Sequence, residues 1–185
     1  MLIFQKLRYK NFLSSGDTFT EIDFLVNNTN LIIGSNGAGK STILDALTFV
    51  LFNRSFRKIT KPQLVNSVNE KNCLVEIEFS SNNREYLVRR GIKPNVFDIE
   101  VDGKLLDKRG DDRDNQVTLE DNILKVNYKS FTQIVILGSS TFVPFMQLSA
   151  SHRREVIEDL LDIRVFSTMA SIVKDRTRTI RDELK

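Results

Sequence analysis

The chain has 185 residues, of which 41% are hydrophobic and 28% charged, a balance typical of a single globular domain. Its formal net charge of +3 permits contact with nucleic acid but is too small to argue for it. The single cysteine, Cys73, excludes an internal disulfide, and no segment has the length of a membrane span or the pattern of a secretion signal. We therefore expect a cytoplasmic protein with no membrane partner.

The first thirty-three residues predict three short strands. Residues 2–12 and 18–24 alternate between apolar and polar positions, and turn-forming residues separate them at 14–17. The apolar run Leu-Ile-Ile at 31–33 predicts a buried strand that leads directly into a glycine-rich segment.

The glycine-rich segment matches the phosphate-binding pattern G-x-x-x-x-G-K-[ST]. A triphosphate is a dense anion, which backbone N–H groups at a helix N-terminus stabilise. Lys40 would place its charge on the β- and γ-phosphate oxygens, and Ser41 would offer its hydroxyl to Mg²⁺. A complete match to this eight-residue pattern, between a strand and a helix, disfavours a chance glycine-rich turn. The predicted nucleotide-binding residues are Gly34, Ser35, Asn36, Gly37, Ala38, Gly39, Lys40, Ser41 and Thr42.

The middle of the chain predicts a helix followed by an antiparallel meander. Residues 41–52 have apolar side chains at helical spacing, and Asn53 is a suitable stop. Alternating segments at 73–79, 85–90 and 95–101 predict strands, with Asp-Gly at 102–103 as a tight turn. The polar residues 108–116 predict a loop.

The last third predicts a helix at 118–125, a buried strand at 133–137 and a helix from Ser149 or Ser151 to Ile163. From residue 164 to the end the pattern stays helical, without Pro or Gly. An apolar stripe there predicts the start of a coiled coil, although an ordinary amphipathic helix packed on the domain fits the same spacing. The stripe consists of Phe166, Met169, Val173, Thr177, Ile180 and Leu184. We therefore divide the chain into a lobe, 1–163, and a coiled-coil start, 164–185.

A nucleotide hydrolase of this type also needs an acidic residue at the end of a second buried strand, to hold Mg²⁺ and position water. Neither of two candidate strands provides this residue. In 73–78 the acidic residues alternate with apolar ones, as in a strand with one exposed face, and 134–137 is followed by Gly138 rather than by an acid. The sequence therefore predicts that part of the hydrolytic machinery lies outside these residues.

The order of these parts resembles the N-terminal half-domain of the SMC-like ABC ATPases of DNA repair, the SbcC type. The resemblance rests on residues 10–12, Lys-Asn-Phe, on the phosphate loop with Asp45 after it, on Gln133, and on residues 145–163 at the entry to a coiled coil. It covers essentially the whole chain. It implies an α/β fold, the N-terminal lobe of a P-loop ABC-type ATPase, with a mixed sheet of antiparallel strands around the phosphate-loop helix and a coiled-coil helix after it.

Three further segments, 63–67, 90–97 and 144–146, resemble the bacteriophage members of this family. A phage-encoded protein would act in the host cytoplasm. Many repair members carry Arg directly after Asn-Phe, where it approaches the nucleotide, whereas this chain has Leu13. That contact must then be missing or supplied elsewhere.

The resemblance implies ATP and Mg²⁺ as cofactors. Lys40 and Gln133 would be the catalytic residues of this half, and Ser41 and Gln133 would bind the metal, with Gln133 also sensing the γ-phosphate. The alternative for Gln133 is an ordinary polar residue at a strand start. By position, the adenine would be lined by Val65, Asn66 and Ser67, although a plain helix end explains this stretch equally well.

The resemblance also implies four partners. The chain's own C-terminal ATPase lobe would supply the acid and the base, and a second copy of the head would join it as a homodimer on ATP. A nuclease subunit would dock at the coiled-coil root, residues 166–185, and double-stranded DNA ends would be the substrate. Basic side chains could contact the DNA backbone or could simply be solvated: Arg153, Arg154, Arg164, Lys174, Arg176, Arg178 and Arg181.

Two other functions compete with a repair ATPase. A self-contained P-loop kinase would carry its own Mg²⁺-binding acid and turn over nucleotide alone. A chromosome-organising SMC subunit would share the head and the coiled coil but would lack a nuclease partner.

Overall fold

The computed structural model describes residues 2–57, 59–106, 111–136, 143–161 and 163–183. The chain divides into two units, Met1–Leu124 and Lys125–Lys185. The first unit contains a β-sheet and the phosphate loop, and the described elements of the second unit are all helices.

A six-stranded sheet forms the centre of the first unit. Its order is β2-β1-β3-β4-β5-β6, and every neighbouring pair is antiparallel. Two hairpin turns have left-handed residues at both central positions, Asn82–Asn83 and Asp102–Gly103, which suits the twist of the flanking strands. The strands are β1 (Leu2–Lys10), β2 (Thr20–Asp23), β3 (Cys73–Ser81), β4 (Arg84–Ile92), β5 (Val96–Val101) and β6 (Lys104–Leu105).

The two faces of the sheet differ in chemistry because side chains alternate along each strand. One row across the sheet, Leu7, Ile77, Val88 and Ile99, is buried. The adjacent row is charged, and Glu76 accepts ion pairs there from Arg8 at 2.7 Å and Arg89 at 3.3 Å. The apolar face packs against helix α1 (Thr42–Phe52). The meander and the antiparallel strands predicted from alternation are confirmed.

Helix α1 also agrees with the sequence prediction. Its residues from Ala46 to Phe52 are buried, which explains why it is apolar on most sides. It ends at Asn53, which adopts φ 58° and donates its backbone N–H to the Phe49 carbonyl at 2.9 Å. Asparagine tolerates this left-handed conformation better than most residues, so it ends the helix as expected.

A buried arginine attaches the C-terminal end of α1 to the sheet. Arg90 of β4 is 4% exposed; its Nε donates to the Val50 carbonyl at 3.0 Å, and its Nη2 donates to the Gln116 Oε1 at 2.6 Å. The guanidinium lies 3.8 Å from the centre of the Phe97 ring, and Gln116 donates to the Leu51 carbonyl at 2.9 Å. Burial lowers the pKa of Arg90 to about 10.

Gln116 belongs to a helix that the sequence analysis missed. The predicted loop at 108–116 is wrong where it is described, because Asp112–Val117 forms α3. The Asp111 side chain caps this helix by accepting from the backbone N–H groups of Arg113 and Asp114, and residues 108–110 lie outside the described residues. A π-helical turn, Thr118–Leu124, follows where a helix was predicted.

The predicted strand at 31–33 is also wrong. These residues form no ladder with any described strand, and Leu31 and Ile33 are each 83% exposed. A strand needs backbone partners as well as apolar side chains, and the described sheet offers this segment none. The phosphate loop therefore precedes α1 without a strand before it. A short helix, α2 (Lys61–Leu64), lies between α1 and β3.

The second unit contains α4 (Tyr128–Ile134), a 3₁₀ turn (Phe145–Gln147), α5 (Ala150–Leu160) and α6 (Arg164–Glu183). The predicted strand at 133–137 is wrong, because Asn127 caps a helix by accepting from the Ser130 N–H at 3.0 Å and Gln133 lies inside that helix. Residue 137 lies outside the described residues. Helix α5 ends at Leu160 rather than at 163, and α6 begins at Arg164. The division at 163 remains a prediction, and none of the described helices could cross a membrane.

Candidate nucleotide-binding site

The phosphate loop owes its shape to two glycines with positive φ. Gly37 has φ 87° and Gly39 has φ 92°, a region that residues with a Cβ rarely adopt. A Cβ on Gly34 would lie 3.2 Å from the Cβ of Ala38, so this position is also tight. The loop closes on itself, because the Ala38 N–H donates to the Ser35 carbonyl at 3.2 Å.

The Lys40 side chain lies across the loop. Its Nζ donates to the Gly34 carbonyl at 2.6 Å and to the Ser35 carbonyl at 2.7 Å. Ser41 occupies the N-cap position of α1, and its hydroxyl makes no capping bond to the helix. A cation, a hydroxyl and the positive end of the helix dipole therefore meet in one short segment, which suits an anionic ligand.

The loop borders a cavity of about 570 Å³, within the range of small-molecule sites. Its lining carries two cations, Lys40 and Arg57, and none of the described lining residues is acidic. The remaining lining residues include three apolar side chains and several hydroxyls and amides. The full lining is Leu13, Ser14, Asn36, Gly37, Gly39, Lys40, Ser41, Thr42, Arg57, Ile59, Gln63, Val65 and Ser67.

Most of the residues predicted to bind nucleotide thus share one cavity. Gly34, Ser35 and Ala38 shape the loop through the contacts above. Val65 and Ser67 line the cavity, which brings them to the same site as the phosphate loop. Whether each of these residues contacts a nucleotide stays a prediction.

Asn66 is placed differently from its neighbours. It is 8% exposed, and its amide nitrogen donates to the carbonyls of Leu13 at 3.1 Å and Ser15 at 3.0 Å. Its Oδ1 accepts the backbone N–H groups of Val68 at 2.9 Å and Asn69 at 3.0 Å. Both donors and both acceptor sites of the side chain are therefore used within the protein.

Arg57 is a lining residue that the sequence analysis missed. Its Nε and Nη2 lie 2.6 and 2.5 Å from the Oδ2 of Asp45, and its backbone N–H donates to the Oδ1 at 3.0 Å. The Asp45 side chain is 0% exposed, whereas that of Arg57 is 43% exposed. A fully buried carboxylate needs a partner, so an acid inside the predicted apolar helix was the signal that a cation would pack there.

Leu13, Ser14, Ile59 and Gln63 were also missed as lining residues. Leu13 and Ser14 follow the end of β1, and a single bridge between Phe12 and Val65 joins their segment to the other wall. Gln63 also caps the N-terminus of α2, where its Oε1 accepts from the Thr60 hydroxyl at 2.7 Å. For Leu13 the family resemblance was a signal, since many repair members carry at this position an Arg that approaches the nucleotide. No local motif marks the other three, which reach the cavity through contacts between distant segments.

Gln133 belongs to the second unit and Ser41 to the first, so their shared role at a metal stays a prediction. Gln133 lines a smaller cavity of about 230 Å³ together with Lys129, His152 and Glu155. Its Oε1 is buried and has no hydrogen-bond partner among the described residues. Across the described ranges, no three His, Cys, Asp or Glu side chains cluster so that they could hold a metal.

Comparison with known proteins shows which family this chain is similar to. A profile described as an AAA domain matches residues 6–182. Exonuclease subunit 2 of Escherichia phage RB69 is 41% identical over 178 residues, which are 96% of this chain and 32% of that protein. The DNA double-strand break repair Rad50 ATPase of Thermoplasma volcanium is 27% identical over 191 residues, which are 98% of this chain and 21% of that protein. The chain thus spans about a third or less of these relatives.

Among solved structures, the Smc head domain of Pyrococcus furiosus is similar to this chain. That structure has an extended coiled coil and is bound to the C-terminal domain of ScpA. Its TM-score is 0.66 at 23% identity, and the match covers 100% of this chain and 48% of that one. The shared fold confirms the predicted α/β class.

Proposed function

Since this chain belongs to the AAA domain family, we propose that it is the ATP-binding N-terminal half of a DNA-repair or recombination ATPase. The observation that carries the proposal is the phosphate loop at the start of α1, which opens into a cavity with two cations and no acidic described lining residue. Relatives named as exonuclease subunit 2 and as Rad50 ATPase point to the same class. On this proposal, the full protein dimerises on ATP and regulates a partner nuclease that acts on DNA ends.

The residues of the loop fit ATP with Mg²⁺. The backbone N–H groups of the loop would bind the phosphates, and Lys40 would turn its Nζ from the Gly34 and Ser35 carbonyls towards phosphate oxygens. The hydroxyl of Ser41, which makes no capping bond, would ligate Mg²⁺, and Gln133 would add a second ligand. ATP would supply the phosphoanhydride bond, and Mg²⁺ would neutralise part of the charge on the phosphates. The residues of this chain would hold both in position.

Hydrolysis would require a second chain segment. The sequence places no acid at the end of a second buried strand, so the C-terminal lobe would supply the metal-binding acid and the base that activates water. A second head would cover the γ-phosphate. ATP would then favour the closed pair of heads, and hydrolysis would return them to the open state.

Helix α6 supports the proposed nuclease contact. Phe166, Met169, Val173 and Ile180 are exposed and recur at intervals of three, four and seven residues, which places them on one face. An exposed apolar face of this kind suits a coiled-coil partner or a docked subunit. Double-stranded DNA would meet the basic residues of the same region, among them Lys174, Arg176, Arg178 and Arg181.

The first experiment measures Mg²⁺-ATP turnover by this chain with and without the C-terminal lobe, and Lys40→Ala serves as the control. We expect turnover only when both lobes are present, and loss of turnover in the variant. Turnover by this chain alone that Lys40→Ala abolishes would contradict the proposal and favour a self-contained kinase-like enzyme.

A second experiment tests the α6 contact and separates a repair ATPase from an SMC subunit. Phe166→Glu and Val173→Glu should prevent co-purification of the nuclease subunit, whereas Ser171→Glu, on the same helix outside the apolar stripe, should not. Nuclease binding that survives both apolar substitutions would move the docking site elsewhere. Binding to no nuclease at all would favour a chromosome-organising role.

A further inference from the structure

The cavity beside the phosphate loop has walls of two kinds. Residues 36–42 contribute glycines, a cation and hydroxyls, which suit phosphate groups. Leu13, Ile59 and Val65 contribute apolar surface, and Ser14 and Ser67 add hydroxyls beside it. A mixture of apolar surface and a few hydroxyls suits a nucleobase and its ribose better than it suits an anion.

The apolar wall depends on a turn with an unusual backbone. Asn11 has φ 50° and Leu13 has φ 54°, and a leucine rarely adopts this left-handed conformation. Strained backbone of this kind persists only where surrounding contacts hold it, and it is concentrated at functional sites. Leu13 donates its backbone N–H to the Leu64 carbonyl at 2.7 Å, and Phe12 donates its own to the Ser15 hydroxyl at 2.9 Å.

A network of asparagines holds this turn in place. Asn66 donates to the carbonyls of Leu13 and Ser15, which lie on either side of Ser14. Asn69 donates to the Oδ1 of Asn11 at 2.6 Å, so a second amide supports the start of the turn. Asn66 therefore binds the turn from inside the protein, with no donor left for a ligand in the cavity.

We propose that Asn66 is a positioning residue for nucleotide recognition: it holds the turn Asn11–Ser15 so that Leu13 and Ser14 form the wall against the nucleoside half of ATP. This rests on the proposed function, since it assumes that ATP occupies the cavity. Asn66 acts through the turn, and the phosphate loop holds the phosphates independently of it. The two halves of the ligand are therefore recognised by separable parts of one site.

Because the phosphates and the nucleoside are recognised by separate parts of the site, ligands with and without a nucleoside test the role of Asn66. Affinities for Mg²⁺-ATP and for inorganic triphosphate are measured on this chain and on Asn66→Asp, which replaces the two N–H donors by an oxygen that repels the Leu13 and Ser15 carbonyls. We expect affinity for ATP to fall about tenfold, the effect of losing one or two hydrogen bonds, while affinity for triphosphate changes less than twofold. The matched control is Asn95→Asp, which breaks an exposed donor bond to Asp112 outside the cavity and should change neither affinity.

A second variant covers the case in which Asn66→Asp does not fold. Leu13→Gly removes the wall side chain and relieves the positive φ, so thermal stability should be kept while affinity for ATP alone falls, by about fivefold or more. Equal loss of ATP and triphosphate binding in Asn66→Asp would overturn the proposal. Unchanged affinity for ATP in Asn66→Asp, or in Leu13→Gly, would also overturn it.

The same measurements distinguish failure of this inference from failure of the proposed function. If the parent chain binds ATP and triphosphate and Lys40→Ala weakens both, the phosphate loop binds nucleotide as proposed. The Asn66→Asp and Leu13→Gly variants then test the positioning role of Asn66 alone. If the parent binds neither ligand, the proposed function fails and the inference falls with it.

Discussion

The two ends of helix α1 are anchored by similar groups but differ in exposure. At the C-terminal end, Arg90 is 4% exposed and donates to Val50 and Gln116 in the interior. At the N-terminal end, Arg57 pairs with the buried Asp45, yet its own side chain remains 43% exposed and lines the cavity. One arginine is enclosed by the fold, and the other is held at its surface.

This difference separates stability from binding along a single helix. The last carbonyls of α1 accept from Arg90, Gln116 and Asn53, so its C-terminal end is satisfied by the protein. Its first turn lies beside the phosphate loop and the cavity, where the Ser41 hydroxyl makes no capping hydrogen bond to the helix. We expect substitutions at the C-terminal end to change the free energy of unfolding, and those at the N-terminal end to change nucleotide affinity as well.

The largest expected effect is at Arg90. Arg90→Met would leave the Val50 carbonyl and Gln116 without a buried donor, so we expect the free energy of unfolding to fall by about 3 kcal/mol. Nucleotide affinity of the folded chain should be unchanged. Urea unfolding and nucleotide titration measure the two quantities. Arg89→Met is the matched control on the charged face of β4. Arg8 still pairs with Glu76 in that variant, and Arg89 itself is 32% exposed, so the loss should be about 1 kcal/mol.

The corresponding substitution at the other end is Arg57→Met. It leaves the buried Asp45 carboxylate without its charged partner, although the backbone N–H of residue 57 still donates to it. Since the Arg57 side chain is 43% exposed, we expect a loss of about 2 kcal/mol in unfolding free energy. Removing a cation from the cavity should also weaken ATP binding. Adding Asp45→Asn to the same chain should restore stability without restoring affinity. If Arg57→Met leaves ATP affinity unchanged, the contrast between the two ends is wrong.

A smaller loss of stability is expected from glycine substitutions, which compare the phosphate loop with a hairpin turn. Gly39→Ala and Gly103→Ala both place a Cβ on a residue with positive φ, and neither Cβ would meet an atom closer than 3.8 Å. Each should therefore lower the free energy of unfolding by about 1 kcal/mol through backbone strain alone. Only Gly39→Ala should weaken nucleotide binding, because Gly103 lies in a hairpin turn. Equal affinities for the two variants would contradict a role of this loop conformation in binding.

The smallest expected effect comes from the sheet rather than from either end of the helix. Burial raises the pKa of the Cys73 thiol to about 12 from an ordinary value of 9.0. Above pH 9 the unfolded chain releases this proton and the folded chain keeps it, so stability falls as pH rises from 9 towards 12. At pH 9.5 the loss should be about 0.8 kcal/mol. Cys73→Ala should lack this component in urea unfolding, and identical pH profiles for the two chains would refute the assignment.

Sequence patterns predicted the hairpins and α1 because their signals are local. Alternation over 73–101 and the Asp102–Gly103 turn fix which strand pairs with which, and Asn53 ends the helix by its own backbone preference. The phosphate loop was likewise recognisable, since its glycines and Lys40 are consecutive in sequence.

The errors arose where distant segments decide the structure. Residues 31–33 and 133–137 have the composition of strands. The first segment has no partner in the described sheet, and the second begins with the last two residues of a helix capped by Asn127, which ends at Ile134. Arg57 and Leu13 line the cavity through contacts with Asp45 and Asn66, which lie 12 and 53 residues away in sequence. No local pattern could predict contacts at these separations.

The two edge strands of the sheet affect how copies of this chain associate. Exposed strand edges offer unpaired N–H and C=O groups to other chains and promote aggregation when they are long and apolar. Here the edge strands are short: β6 has two residues, and β2 has four, of which Glu21 and Asp23 are acidic. Strand-to-strand addition between copies is therefore disfavoured at high concentration. Association of two copies is left to other surfaces.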